Sequence, residues 1–425
     1  MRKSTFFLLT ALTLYLCFNN IEIESIFVNI SFSLISLLSL IFLNKKNLFN
    51  SRTFFHLFNL VFLGFAGAIQ FNSNSSYFIN YSLKKESFLI TNLVIILLIL
   101  TFEFSYRLKQ SNNFSLSQYY ITKKGKLFLL TLSVIATCLT IVFLDFNLSE
   151  LFFREKISLR NASTTYSLIL DKAIRPIPPI CFLLLLHLNK KLEYFCLSLG
   201  LLSLITFNPL GIPRYATASI YIPALILLAP QIIKKDNLVL IYLFSSFFIF
   251  PLLNLFRYSS TSVQDRITFG IQGLQSVNFD TYQSLLLTIE NGIITYGHQI
   301  LGVFLFMIPR NIWPTKPQGT GSLIAETNDY IFDNVSANFF AEGYINGGII
   351  GMILFTVFLG IQLKKTDSIL WQNNNNSQYV FSLIFLNMVF FILRGDLMSA
   401  VAYTISYAAL IYIITKTLKT LMLTR

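Results

Sequence analysis

Arginine is placed asymmetrically along this chain. Arg154, Arg160, Arg175, Arg214, Arg257, Arg266, Arg310 and Arg394 fall in segments that share one side if the intervening apolar blocks cross a bilayer. The lysine pairs at 45–46, 123–124, 190–191, 234–235 and 364–365 fall on the other side. Lysine follows the positive-inside bias and arginine runs against it, so the arginines call for another use. A guanidinium keeps its proton and presents a planar fork of donors that matches phosphate oxygens. Arg175, Arg214, Arg257 and Arg394 sit at expected membrane edges, the height of a lipid phosphate. For any one of them, snorkelling or pairing with an acid competes equally; for the set, phosphate recognition is the better reading.

One stretch carries cations on a stiff backbone. Pro309-Arg310-Asn311-Ile312-Trp313-Pro314-Thr315-Lys316-Pro317-Gln318-Gly319-Thr320-Gly321 cannot be helical, since three prolines and two glycines punctuate it. Trp313 is suited to a membrane interface, and Arg310 and Lys316 project from the loop. The bland alternative is a structural turn with a tryptophan anchor. Arg214, Arg310, Lys316 and Arg394, with Arg175 and Arg257, are the candidates for holding a diphosphate. Glu342, His298, Asp396 and Asp280 are the candidates for a general base, with Glu342 and His298 ranked first because they flank the loop. His56 and His187 lie in or near apolar blocks, where structural roles are expected. No metal site is expected: Cys17, Cys138, Cys181 and Cys196 have no ligand spacing, and no paired carboxylates accompany them. No cofactor is expected either.

The elements that must position these residues are membrane helices. The chain has 425 residues, 54% hydrophobic and 12% charged, with a mean hydropathy of +0.65. The charged share is about half that of a soluble domain. Apolar blocks at 4–19, 26–43, 53–71, 88–106, 127–146, 171–188, 192–208, 214–232, 238–256, 343–363, 379–394 and 398–415 approach spanning length. The expected fold is an all-α polytopic membrane protein of about twelve transmembrane helices, N-in and C-in, with one large extracytoplasmic loop. Arg2-Lys3 and the apolar run to Phe18 resemble a signal peptide, yet no small-x-small site follows, so a retained first span is expected. Three regions result: a bundle over 1–256, an outer loop over 257–342 and a C-terminal bundle over 343–425. Within the loop, Phe279 to Gln299 has helical apolar spacing and is expected to lie along the membrane surface. Ile300 to Ile308 is too short to span and is expected to be a re-entrant or interfacial piece buried in protein. Gly343, Gly347 and Gly351 recur every fourth residue, the pattern of a close helix–helix contact.

The order of these features resembles the bacterial O-antigen or oligosaccharide repeat-unit polymerases of the Wzy type. The likeness rests on Asn208-Pro209 with Pro213-Arg214-Tyr215, on Phe279-Asp280-Thr281-Tyr282 and on Ile308 through Pro317. It continues in Gly321, in 334–336, in Phe340-Ala341-Glu342-Gly343-Tyr344 and in Arg394-Gly395-Asp396. It covers about the second half of the chain, and the proline-bracketed arginine–tryptophan motif is its most specific part. The resemblance implies a mostly helical fold like that of the lipid-donor (GT-C-like) glycosyltransferases. It implies transfer of a growing glycan from undecaprenyl diphosphate to a lipid-linked repeat unit on the outer face of the bacterial inner membrane. Donor and acceptor are then both undecaprenyl-diphosphate-linked oligosaccharides, and a chain-length regulator is left open as a partner.

Rival readings are an O-antigen ligase, a flippase or transporter for lipid-linked sugars, and a non-enzymatic scaffold. Transporters often carry paired internal repeats and broken helices, and neither is visible in the sequence. The absence of a nucleotide-binding glycine loop disfavours a synthase using nucleotide sugars. The net charge of +13 reflects lysines facing anionic headgroups rather than nucleic acid.

Overall fold

Backbone in hydrocarbon must satisfy its own donors and acceptors, and a helix does so within one segment. The apolar blocks accordingly fold as helices. The computed structural model describes residues 1–18, 23–43, 49–73, 84–108, 120–147, 151–152, 168–189, 193–233, 237–249, 269–330, 335–372, 377–421 and 423–424. The first group of helices is α1 (Lys3–Phe18), α2 (Ile26–Leu43), α3 (Ser51–Asn72), α4 (Lys85–Arg107), α5 (Lys123–Phe143), α6 (Ile177–Leu188), α7 (Tyr194–Thr206), α8 (Arg214–Leu228) and α9 (Asn237–Ile249). Three short helices follow, α10 (Thr281–Glu290), α11 (His298–Phe304) and α12 (Thr320–Thr327). The last group is α13 (Phe339–Gln372), α14 (Ser377–Arg394) and α15 (Leu397–Leu421). Among the described residues, strand pairing is confined to Tyr120–Ile121 against Leu423–Thr424.

Six stretches are long and apolar enough to cross a membrane: Ile23–Leu43, Ser51–Asn72, Lys85–Arg107, Lys123–Phe143, Phe339–Trp371 and Leu397–Thr420. This is a helical membrane protein. Its outward faces carry large apolar side chains at helical spacing, such as Ile90, Leu93, Leu97, Leu100 and Phe104 on α4. By contrast α3 is buried along its whole length. Asn50 caps it, accepting from the Thr53 amide at 2.7 Å. Phe55 stacks on Phe102 of α4, with ring centroids 3.6 Å apart.

Buried charges at the start of α3 are compensated by its neighbours. Arg52 donates through Nε and Nη2 to the two carboxylate oxygens of Glu103 on α4, at 2.5 and 2.7 Å. His56 Nε2 lies 2.8 Å from Glu103 Oε1. Asp367, near the end of α13, accepts from the Ser51 amide and from the Tyr106 hydroxyl, both at 2.6 Å. One polar knot thus ties α3, α4 and α13 together, and His56 has the structural place expected of it.

Three expectations need correction. The helix expected along the membrane surface spans only Thr281–Glu290, and Thr281 through Thr288 are all buried. It packs among α3, α4 and α13 rather than on a surface. Two of its polar side chains find partners inside: Tyr282 donates to Asn92 Oδ1 at 2.8 Å, and Thr288 donates to the Ser284 carbonyl at 2.7 Å. Amphipathic spacing could not distinguish a lipid surface from such a polar interior.

The segment from Ile300 to Ile308 is buried on one face only, through Gly302, Val303 and Phe306. Leu301, Phe304, Leu305 and Met307 are exposed on α11 and the turn after it.

The glycine series does not form a stripe for a partner helix. Gly347 and Gly348 have non-helical backbone angles and break α13. Gly348 has φ +63°, a region glycine enters without a steric penalty. The chain folds back there, so that Gly343 meets Gly351: a Cβ on Gly343 would lie 2.7 Å from the Met352 Cα. Along an unbroken helix residues eight apart are separated by about 12 Å. The glycines allow a backbone contact within one chain segment, and the piece carrying Glu342 is laid across the head of the long helix.

Candidate functional site

The tight turn from α14 to α15 organises the site. Gly395 makes the turn possible, since a Cβ there would come within 2.9 Å of the Phe391 carbonyl. Either side of it, Arg394 and Asp396 reach in different directions. Arg394 donates through Nε to the Asn278 carbonyl at 2.9 Å and through Nη2 to Asp280 Oδ1 at 3.3 Å. Asp280, buried, also accepts from the Ser336 amide at 2.9 Å and from the Ser336 hydroxyl. Asp396 accepts from the Thr320 amide at 2.9 Å and the Ser399 amide at 3.0 Å, so one carboxylate sits at the N-termini of α12 and α15.

Glu342 completes the cluster. It is fully buried on the folded-back start of α13. Its Oε1 accepts from the Leu397 amide and its Oε2 from the Thr320 hydroxyl, each at 2.8 Å. Thr320 therefore bridges two acids, giving its amide hydrogen to Asp396 and its hydroxyl hydrogen to Glu342. Gly321 lets α12 seat closely, because a side chain there would run into the Val335 carbonyl.

A second cationic group approaches from the chain before α6. The wide helical turn Leu170–Ile174 carries Asp171 and Lys172, and Arg175 and Pro176 follow. Lys172 Nζ lies 4.9 Å from the Tyr403 ring centroid and 6.0 Å from that of Phe306, within electrostatic reach of Asp396 and Lys316. Arg175 is buried and donates through Nη1 to Asp171 at 3.0 Å. Its Nε and Nη2 are buried with no hydrogen-bond partner among the described residues. Leaving guanidinium donors unmet in the interior is costly, about 1–3 kcal/mol or more for a charged group. An anion placed against them would relieve that cost.

The other candidates are placed differently. Arg214 begins α8, and its neighbour Tyr215 stacks on Phe391, near the C-terminal end of α14, with centroids 3.4 Å apart. Arg310 and Lys316 turn back onto their own loop. Arg310 donates to the carbonyls of Lys316 and Pro317 at 2.7 and 3.2 Å, and Lys316 Nζ donates to those of Phe306 and Ile308 at 2.7 and 2.9 Å. Burial, with the like charge of Arg310, pulls the Lys316 ammonium below the usual lysine range. His298 is exposed at the start of α11, edge-on to Trp313 with centroids 6.3 Å apart. Arg257 lies outside the described residues, as do Arg154, Arg160 and Arg266.

The fold thus gathers Asp280, Glu342, Asp396 and Arg394. It leaves His298 on an exposed helix end and Arg310 and Lys316 engaged with backbone. Sequence reasoning missed Thr320, Ser336 and Lys172. Thr320 is framed by Gly319 and Gly321 and opens a helix, a signal that was legible; Lys172 carried none beyond its place between Asp171 and Arg175. Among the described residues no three His, Cys, Asp or Glu side chains group as a metal site would require. No family model, curated protein or solved structure matches this chain.

Proposed function

We propose that this protein is a glycosyltransferase that polymerises lipid-linked oligosaccharide repeat units. In this reading about twelve spans place the α14–α15 turn on the extracytoplasmic face of a bacterial inner membrane, with both termini inside. The donor is a glycan on undecaprenyl diphosphate and the acceptor a second lipid-linked repeat unit, the product being O-antigen or a similar surface polysaccharide. The observation that carries the reading is Arg175, a buried guanidinium whose Nε and Nη2 have no partner among the described residues, on a segment whose Lys172 feels the charge of Asp396 in the Glu342–Thr320–Asp396 cluster.

The chemistry follows from those charges. The acceptor hydroxyl attacks the anomeric carbon, a new carbon–oxygen bond forms, and the bond from that carbon to the diphosphate oxygen breaks. The hydroxyl proton passes to a carboxylate, for which Glu342 is the first candidate and Asp396 the second. Negative charge gathers on the departing diphosphate, where Arg175 and Lys172, with Arg214 on α8, supply fixed positive charge. Asp280 is already held by Arg394 and Ser336, so that pair is assigned to positioning the turn.

The test is direct. Purified protein is given a synthetic polyprenyl-diphosphate repeat unit without nucleotide sugar, and the products are resolved by size. A ladder of multiples supports the polymerase. Transfer only to a lipid-A-type acceptor would make the protein a ligase. Transbilayer movement without transfer would make it a flippase.

A further inference from the structure

We propose that the segment from α11 to Trp313 is a wedge that seats in the phospholipid leaflet beside α13, independently of any glycan chemistry. Three features lead there. First, the segment is two-faced. Gln299, Gly302 and Val303 turn inward, and a Cβ on Gly302 would lie 2.5 Å from Pro317 Cγ and 2.7 Å from the Met398 terminal methyl. Leu301, Phe304, Met307 and Ile312 turn outward and are 50%, 70%, 67% and 76% exposed. Four large apolar side chains exposed within one short segment are what a soluble surface avoids.

Second, the loop satisfies its own backbone. The amides of Leu305, Ile308, Trp313 and Lys316 donate to the carbonyls of Leu301, Leu305, Pro309 and Trp313. Lys316 and Arg310 bend back to cover the carbonyls of Phe306, Ile308, Lys316 and Pro317. In water those carbonyls would need no such help. Hydrocarbon offers an open carbonyl no partner, so a loop that enters lipid must close its bonds internally. Pro309, Pro314 and Pro317 remove three amide donors outright.

Third, the patch continues a lipid-facing surface. The wedge helix α11 packs against α13, whose outward residues Ile350, Leu354 and Phe358 lie on one helical face and are exposed. Trp313 and the exposed Arg310 lie at the polar end of the wedge, suited to the ester and phosphate level of the leaflet. Because α11 rests on Pro317 and on Met398, two residues beyond Asp396, the wedge would also fix the height of the α14–α15 turn relative to the bilayer.

The chain has 2 tryptophans. Trp371→Phe therefore leaves Trp313 as the only one. This variant is reconstituted in phospholipid vesicles brominated at defined acyl positions, and Trp313 emission is read against bromine depth and against acrylamide in the water. The expected result is quenching several-fold stronger from bromine near the ester end than near the methyl end, with weak quenching by acrylamide. Adding Phe304→Ser and Met307→Ser, both at exposed positions, should weaken the bromolipid quenching and strengthen quenching by acrylamide. Strong acrylamide quenching with none from bromolipid overturns the proposal. So does protection from both quenchers, which would put a second copy of the chain on the patch, and so does lipid quenching that the double serine change leaves untouched. No outcome depends on a glycan, so the polymerase reading stands or falls separately.

Discussion

The backbone amide of Leu397 donates to Oε1 of Glu342 at 2.8 Å, joining the first residue of α15 to the buried start of α13. A carboxylate in that position has two tasks, holding a turn and offering a base, and a pair of substitutions separates them. Glu342→Gln keeps a carbonyl oxygen for one donor and removes the basic oxygen. Glu342→Ala strands both the Leu397 amide and the Thr320 hydroxyl, at about 1–3 kcal/mol for each buried group. Ladder synthesis should fall by about 10²-fold or more in both. The melting temperature in detergent should fall clearly only for alanine. A fully active glutamine variant removes Glu342 as the base.

Arg175 should behave in the opposite way. Its Nε and Nη2 are buried with no partner among the described residues, so Arg175→Met is expected to leave the melting temperature unchanged or raise it. The same change should abolish ladder synthesis. It should also remove the thermal shift that a short-chain isoprenyl diphosphate gives the unmodified protein. A retained shift would place the diphosphate elsewhere.

Arg394 is predicted to be structural as much as functional. Arg394→Ala leaves buried Asp280 without its cation, a loss of about 1–3 kcal/mol because Arg394 itself is 37% exposed and Ser336 still donates to Asp280. Abundance in the membrane should drop together with activity. Arg394→Ala combined with Asp280→Asn should recover part of the abundance, read by immunoblot, without recovering polymer.

The knot between α3 and α4 gives a cleaner stability test, because it lies apart from the α14–α15 turn. Glu103→Ala strands Arg52 and should cost about 3–5 kcal/mol. The double change Arg52→Met with Glu103→Met should cost much less, as apolar side chains replace both charges. A thermal double-mutant cycle measures the coupling, and additivity of the single changes would show the pair to be inert.

Gly348→Ala should be poorly tolerated although the position is small and has no backbone neighbour pressing on it. A Cβ at φ +63° costs about 1–3 kcal/mol of strain. The strain falls on the break that folds Glu342 back over α13, so protease resistance around 339–346 should weaken, measured by limited proteolysis in detergent.

What was legible in the sequence is what local chemistry dictates. Long uncharged apolar blocks could only be helices meeting lipid, because hydrocarbon offers the backbone no partner. Pro309 to Gly319 stayed out of a helix, as its prolines require, but Thr320 and Gly321, the end of the stretch expected to be non-helical, open α12. Asp280, Glu342, Arg394 and Asp396 could be singled out by type and by their neighbours. Tertiary structure alone decided which of them meet. The contacts of Thr320 with Glu342 and Asp396, and of Arg394 with Asp280, join residues far apart in the chain, and no local periodicity encodes them. The same holds for the inversions. Arg310 and Lys316 looked like free cations because a sequence shows charge but not which carbonyls a side chain will cover. The polar side of α10 looked like a solvent face because a hydroxyl or amide pointing at water and one pointing at a buried partner carry the same one-dimensional signature. Gly343 and Gly351 looked like a seam for another helix, and only the break at Gly347 and Gly348 turned them toward each other.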